Sequence, residues 1–511
     1  MESRWQRARV AASRRARPRP TALRPTSLLL LFFLGLSAAA DTPVARKLGT
    51  LALEPCTLAA AGSTVTVAAF CGTLPVPENR AAPEGRRIEL AVALVPSRAK
   101  QPRPDPVFML AGGPGQSALE SFPAVAGAFG EILRSRNVVL VDQRGTGRSQ
   151  PLHCRPGEGA DANASAVLDP AAARRLAEEC LATLDVDPRY FTTSDAVLDL
   201  EAVRVAIGAG EVNLVGISYG TRVALEYLRR HPDRTRAVVL DGVVPPELAL
   251  GAEHARNLEA ALAAHFALCE ADAACRRQFG SPRRQLERLL ADLRVQPRTV
   301  RYNDPITDDV REEPLTPQTV SGVVRMYAYV PMLATMLPRL LAEAGAGRPE
   351  MLMAQARMIE SLAGEQIAQG MQLSVICAED ADRLRVDPAD AATLMGAEFV
   401  ASMLAQCEVW PKGRRPQDFN DPVRSDRPVL LLSGELDPVT PPRNAEAVLR
   451  HLPNGRHLVG RGQGHNVMVA GCAPRLMARF ITAASAKDLD AGCLDRLAPL
   501  PPVLGAYGWD P

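Results

Sequence analysis

The pentapeptide Gly216-Ile217-Ser218-Tyr219-Gly220 fits the pattern Gly-x-Ser-x-Gly, a hydroxyl held between residues without side chains. It follows the apolar run Val212-Asn213-Leu214-Val215 and precedes a helical stretch from Arg222 to Arg230 that stops near Pro232. A strand that enters a helix through so short a turn needs glycine, because the two backbones approach closely. The serine then stands at a helix N-terminus, where free N–H groups favour negative charge. That setting marks Ser218 as a candidate nucleophile rather than a structural serine.

A serine hydroxyl needs a base to take its proton. Of the seven histidines, His231 stands beside Pro232, His254 and His265 fall in a helical stretch, and His451 and His457 flank a turn. Only His465 lies in a glycine-flanked loop, Gly462-Gln463-Gly464-His465, just past an apolar run, which frees it to reach Ser218. An acid must orient the imidazole and stabilise its charged form. Asp437, in the loop Ser433-Gly434-Glu435-Leu436-Asp437-Pro438-Val439-Thr440-Pro441, gives the chain order Ser, Asp, His. Asp241, in Leu240-Asp241-Gly242, competes but can instead bind backbone groups at its own strand end, and Glu435 ranks below both. A tetrahedral oxyanion needs donors. The Tyr219 amide is one candidate, and Gly113 of Gly112-Gly113-Pro114-Gly115 is the other, with Gly112 as an alternative. The same loop lacks both the Lys-Ser/Thr of a P-loop and Gly-x-Gly-x-x-Gly spacing, which argues against a nucleotide.

The elements that must position these residues alternate strands with helices from about residue 88. Strands are expected at 88–95, 107–110, 137–141, 212–215, 237–240, 429–432 and 456–459, with a helix over 195–207 capped by Ser194. Such alternation reads as α/β, a mostly parallel sheet wrapped by helices. Residues 248–425 break the pattern with Ala, Leu and Arg at helical spacing, a mainly helical cap inserted over the carboxyl ends of the strands, where ligands of open sheets bind. The expected organisation is a leader at 1–40, a core at 41–247, the cap at 248–425 and the rest of the core at 426–511.

Residues 1–40 combine a basic start, the apolar run Ser27–Leu34 and Ala38-Ala39-Ala40, the three parts of a secretory signal. The run is too short for a comfortable membrane span, so no stable anchor is expected after cleavage. Without the eight arginines and one glutamate of this leader, 59 basic and 57 acidic residues become 51 and 56, a net charge of −5. A mildly acidic chain offers no footprint for nucleic acid. The ten cysteines, an even count, read as disulfides in an exported chain. Short gaps favour Cys56–Cys71, Cys154–Cys180, Cys269–Cys275, Cys377–Cys407 and Cys472–Cys493. Neither Cys-x-x-Cys nor His-Glu-x-x-His occurs, and neither metal nor other cofactor is expected.

Together, Gly112-Gly113-Pro114-Gly115-Gln116-Ser117, Asp142-Gln143-Arg144-Gly145-Thr146-Gly147-Arg148-Ser149, Gly216-Ile217-Ser218-Tyr219-Gly220-Thr221-Arg222 and the loops of Asp437 and His465 resemble the prolyl and tripeptidyl aminopeptidase family of α/β-hydrolases. Cys71-Gly72-Thr73-Leu74-Pro75-Val76-Pro77 is similar to the start of its secreted tripeptidyl members, and the resemblance spans nearly all of residues 55–495. Ala111 stands where prolyl members carry a histidine, which moves the reading toward the tripeptidyl ones. The resemblance implies a peptide substrate cut near its free N-terminus, with a cap carboxylate holding the ammonium group. Glu379 and Asp380, in Cys377-Ala378-Glu379-Asp380, are the candidates, against a plain acidic turn beside a disulfide. An esterase on the same residues, or a silent binding protein of this fold, remain the rival readings.

Overall fold

The computed structural model of the chain describes residues 45–60, 64–154, 169–505 and 508; the expected leader, 1–40, lies outside them. Among the described residues the strands are β1 (Arg46–Leu48), β2 (Leu51–Ala59), β3 (Thr66–Pro77), β4 (Arg87–Val95), β5 (Val107–Leu110), β6 (Val138–Val141), β7 (Val212–Ile217), β8 (Thr235–Asp241), β9 (Arg298–Asn303), β10 (Val310–Leu315), β11 (Val429–Gly434) and β12 (Gly455–Gly460). Ten form one sheet in the order β1-β2-β3-β4-β6-β5-β7-β8-β11-β12. The six from β6 to β12 in that order are parallel, whereas β1 to β4 are antiparallel and β4 joins β6 antiparallel.

The central strands have no polar face because both faces are covered. Every residue of β5, β6, β7 and β11 is buried. Alternate side chains point to opposite faces. Phe108, Leu110, Val429 and Leu431 meet the helices Thr193–Ala206 and Tyr219–Arg230 on one face. Val107, Met109, Leu430 and Leu432 meet the helices Ala118–Val125 and Ala473–Ala483 on the other. After β5 the chain crosses to β6 on one side, and after β7 to β8 on the other. The carboxyl ends of β5 and β7 therefore bound the crevice where the winding reverses.

The stretch 248–425 is not uniform. Leu258, Leu262, Leu289, Leu293, Val320, Val324 and Leu341 build a separate core within it. The helices Gln369–Glu379 and Glu398–Val409 instead send Val375, Ile376, Val400 and Cys407 into the main core. It also holds the antiparallel hairpin β9–β10, which its polar Arg- and Glu-rich sequence disguised. Two further expectations are corrected. The helix expected at 195–207 is capped by Thr192, not Ser194, its hydroxyl accepting the Asp195 amide at 3.2 Å. The helix after Ser218 begins at once, at Tyr219.

All ten cysteines are joined, as Cys56–Cys71, Cys154–Cys180, Cys269–Cys275, Cys377–Cys407 and Cys472–Cys493. The fourth pins the helices Gln369–Glu379 and Glu398–Val409 together. Each closed loop stabilises the fold by about 2–4 kcal/mol, chiefly by restricting the unfolded chain.

Candidate active site

Ser218 leaves β7 with φ 54° and ψ −123°, a conformation that L-residues rarely adopt. Surrounding bonds hold it there. Its amide donates to the Asp241 carbonyl at 2.8 Å, and its carbonyl accepts the Thr221 amide at 2.8 Å and the Thr221 hydroxyl at 2.6 Å. Gly220 cannot carry a side chain, since a Cβ there would overlap the Leu110 carbonyl at the end of β5. The serine is half-buried and heads the helix Tyr219–Arg230.

His465 follows β12, and its Nδ1 lies 2.8 Å from Asp437 Oδ2, on the loop after β11. Asp437 is fixed by further donors: the amides of Val439 (2.9 Å) and Thr440 (2.8 Å) on Oδ1, and the Thr440 hydroxyl (2.8 Å) on Oδ2. Burial disfavours the Asp437 charge, but His465 and these donors outweigh it and hold the carboxyl below its usual range. Burial likewise opposes a charged His465, yet the neighbouring Asp437 carboxylate raises the imidazole above its ordinary 6.5. The Thr440 hydroxyl also sits 3.2 Å from Nδ1.

Ser218 and the imidazole flank one junction. The Asp241 carbonyl binds the Ser218 amide, while a Cβ on the next residue, Gly242, would lie 3.0 Å from His465 Cε1. Among the described residues the Ser218 hydroxyl makes no hydrogen bond to the ring. The Asp241 side chain points elsewhere than its own strand end: its oxygens accept the amides of Val467 and Met468, each at 2.9 Å, and so brace the turn beyond His465. Burial pushes Asp241 up to about 6. Glu435 accepts the Gly462 amide at 2.7 Å and steadies the same loop.

The loop after β5 closes on the serine from the other side. A Cβ on Gly112 would lie 3.1 Å from Ser218 Cβ, and Gly113 has φ 104°. The amides of Tyr219 and Gly113 donate to no carbonyl among the described residues. A strained serine, a carboxylate-paired imidazole and two uncommitted amides make an arrangement suited to acyl transfer.

A sequence profile described as "alpha/beta hydrolase fold" matches residues 105–307, the stretch carrying Ser218, and one described as "TAP-like protein" matches residues 392–493, the stretch carrying Asp437 and His465. The chain has the α/β-hydrolase fold. The chain is 32% identical over 195 residues to the tripeptidyl aminopeptidase of Streptomyces lividans, covering 34% of this chain and 35% of that one. The match thus spans about a third of that relative's length. It is 24% identical over 466 residues to the serine protease Hip1 of Mycobacterium tuberculosis, covering 83% and 87% of the two chains. The solved proline iminopeptidase of Mycobacterium smegmatis aligns over 81% of this chain and 98% of that chain, at 18% identity and a TM-score of 0.35.

The Asp142–Ser149 segment is a scaffold. Asp142 accepts the Ser117 hydroxyl (2.6 Å) and the Leu119 and Arg148 amides (3.0 Å each). Arg144, fully buried, forks onto Asp199 at 2.6 and 2.7 Å. Only Gln143 faces the elbow, donating to the Tyr219 hydroxyl at 3.2 Å.

Glu379 and Asp380 are also buried, neither as a surface turn nor open to a ligand. Asp380 pairs with Arg222 at 2.8 Å and Arg383 at 2.6 Å. Glu379 accepts the Thr193 amide at 2.6 Å and the Thr193 hydroxyl at 2.9 Å, and that hydroxyl lies 2.6 Å from the Tyr219 hydroxyl. Burial drives Glu379 up to about 8 against the pull of Arg222. A substrate ammonium reaching Asp380 would have to displace an arginine.

Two cap segments reach the site. The Tyr329 carbonyl accepts the His465 amide at 3.0 Å, and its ring stands edge-on to the imidazole at 5.5 Å. The Ala368 amide donates to the Gly115 carbonyl at 2.9 Å. Sequence reasoning missed Thr440 and Tyr329. Thr440, three residues after Asp437, was legible as a turn donor; Tyr329 carried no local signal.

Proposed function

We propose that this hydrolase is an exported serine peptidase that cuts peptides near a free N-terminus, using Ser218, His465 and Asp437 as its catalytic triad. The observation that carries the reading is the Asp437–His465 pair at 2.8 Å beside the same Asp241–Gly242 junction that anchors the strained Ser218. With Asp437 ionised, Nδ1 keeps its proton and Nε2 is left to accept one. Substrate binding closes the Ser218–His465 contact, which is often open in free enzymes.

Ser218 Oγ attacks the scissile carbonyl carbon as its proton passes to His465 Nε2. The oxyanion is held by the Tyr219 and Gly113 amides. Its collapse breaks the C–N bond, and the imidazolium gives its proton to the leaving amine. Water, deprotonated by the same imidazole, then releases the acyl group and restores the Ser218 hydroxyl.

The peptide substrate is supported by the names of the relatives and by the TAP-like segment that holds Asp437 and His465. Five disulfides and the pattern of residues 1–40 support export. A peptide-library digest read by mass spectrometry, with free and blocked N-termini, tests the reading. Release of short N-terminal fragments only from free termini is expected; ester turnover with no peptide cleaved overturns it.

A further inference from the structure

Among the described residues, Arg325 is the partly buried arginine with neither an ion pair nor a hydrogen bond, and none of its nitrogens is sealed from solvent. Every other arginine that is at least half-buried forms an ion pair or donates to a carbonyl; Arg325 does neither. Its guanidinium lies 5.3 Å from the centre of the Phe399 ring, and His254 stacks against the same ring at 5.9 Å. Stacking orients the planar cation and leaves its edge N–H groups free.

The position of this stack is fixed from two directions. Arg325 lies on the helix Pro317–Ala328, four residues before Tyr329, which caps the helix in helical conformation. Residues four apart share a helix face. The Arg325 face is therefore the one whose Tyr329 contacts His465. His254 begins the helix His254–Ala271, and one turn on, Asn257 donates to the Val439 carbonyl at 2.8 Å, in the turn that holds Asp437. His254 is within electrostatic reach of both His465 and Asp437, so the Arg325–Phe399–His254 stack lies on the cap side of that pair. Among the described residues Asp437 makes no ion pair with Arg325; its oxygens are taken by His465, Val439 and Thr440. His254 adds no second cation, since burial and the nearby Arg325 hold it down to about 3.

We propose that Arg325 is a specificity-determining residue that receives a carboxylate of the substrate, held edge-on while Phe399 supports its face. The inference rests on Ser218 being the nucleophile but not on the scissile bond being a peptide. Two sources supply the carboxylate, an acidic side chain near the scissile bond or the α-carboxylate of a short peptide.

The test measures kcat/KM on matched pairs that differ only in this group. The pairs are Glu against Gln peptides, short peptides with free against amidated C-termini, and a p-nitrophenyl hemisuccinate against its methyl ester. A charge-assisted contact predicts that at least one pair favours the carboxylate by about tenfold or more. That ratio falls toward one in Arg325→Met, is partly kept in Arg325→Lys, and shrinks with added salt. The peptide pairs tell the two sources apart. Equal turnover within every pair by the unaltered enzyme, or an undiminished ratio in Arg325→Met, overturns the proposal. If only the esters turn over, the peptidase reading fails, and the ester pair still judges Arg325.

Discussion

Two buried carboxylates reach the turn that carries Ser218 by different routes, and their surroundings give them opposite character. Asp437 acts through the His465 ring, on the junction beside Ser218. Glu379 acts through Thr193 on the Tyr219 hydroxyl, one residue further along. Burial opposes the charge on both. Asp437 collects two backbone amides, a hydroxyl and an imidazole, and stays ionised. Glu379 collects two donors from Thr193, while Arg222, 3.8 Å away, is spent on Asp380 at 2.8 Å. Depth in the protein therefore does not set the charge of an acid; the number and kind of donors around it do. The ionised one is suited to stabilising an imidazolium, and the protonated one to holding a framework.

Substitution of each acid by its amide breaks or sharpens that contrast. Asp437→Asn should lower kcat by roughly four orders of magnitude, because the amide no longer favours the imidazole tautomer with a free Nε2. Glu379→Gln mimics the protonated acid and should leave kcat within about threefold of the unaltered enzyme. Equal losses would erase the distinction.

The pH profile reads the same pair. An imidazolium cannot accept the serine proton, so activity is lost as pH falls through the His465 pKa. With that pKa raised by Asp437, the acid limb of kcat/KM should have its midpoint above 6.5. A midpoint below that value would mean that Asp437 does not support the ring.

Thr440→Val removes one hydroxyl from Asp437 and His465 and keeps the side-chain shape. Loss of a hydrogen bond to a charged group should cost about tenfold in kcat, measured on any good substrate. The smallest effect concerns stability. Glu379 has a folded pKa of about 8 against an ordinary 4.5, so the stability it lends is whole below about 4.5 and drains away as pH rises through about 8. Denaturant titrations across that window should show a flatter decline in Glu379→Gln.

Much of this was legible in the sequence, for physical reasons that differ by region. The central strands are continuous apolar runs because both sheet faces are covered, and the elbow needs glycines that stand out in any reading. β2 and β3 were missed because one face is solvent-exposed and Pro55, Gly72 and Pro75 interrupt the pattern. Residues 369–379 and 398–409 read like the rest of the insertion, since helical spacing does not reveal which core a helix joins. The Cys-Ala-Glu-Asp segment was visible as acidic, but its arginine partner, Arg222, lies 158 residues away along the chain. Tyr329 reaches His465 only through the folding of the segment 248–425.

Every step proposed for the site requires that Ser218 be a nucleophile made reactive by His465 and Asp437. A fluorophosphonate probe on the mature protein, followed by peptide mapping, tests it most directly. One phosphonate per chain on Ser218 is predicted, with labelling slowed severely in His465→Ala and in Asp437→Asn. A folded protein that stays unlabelled, or that labels at the same rate without His465, contradicts the account.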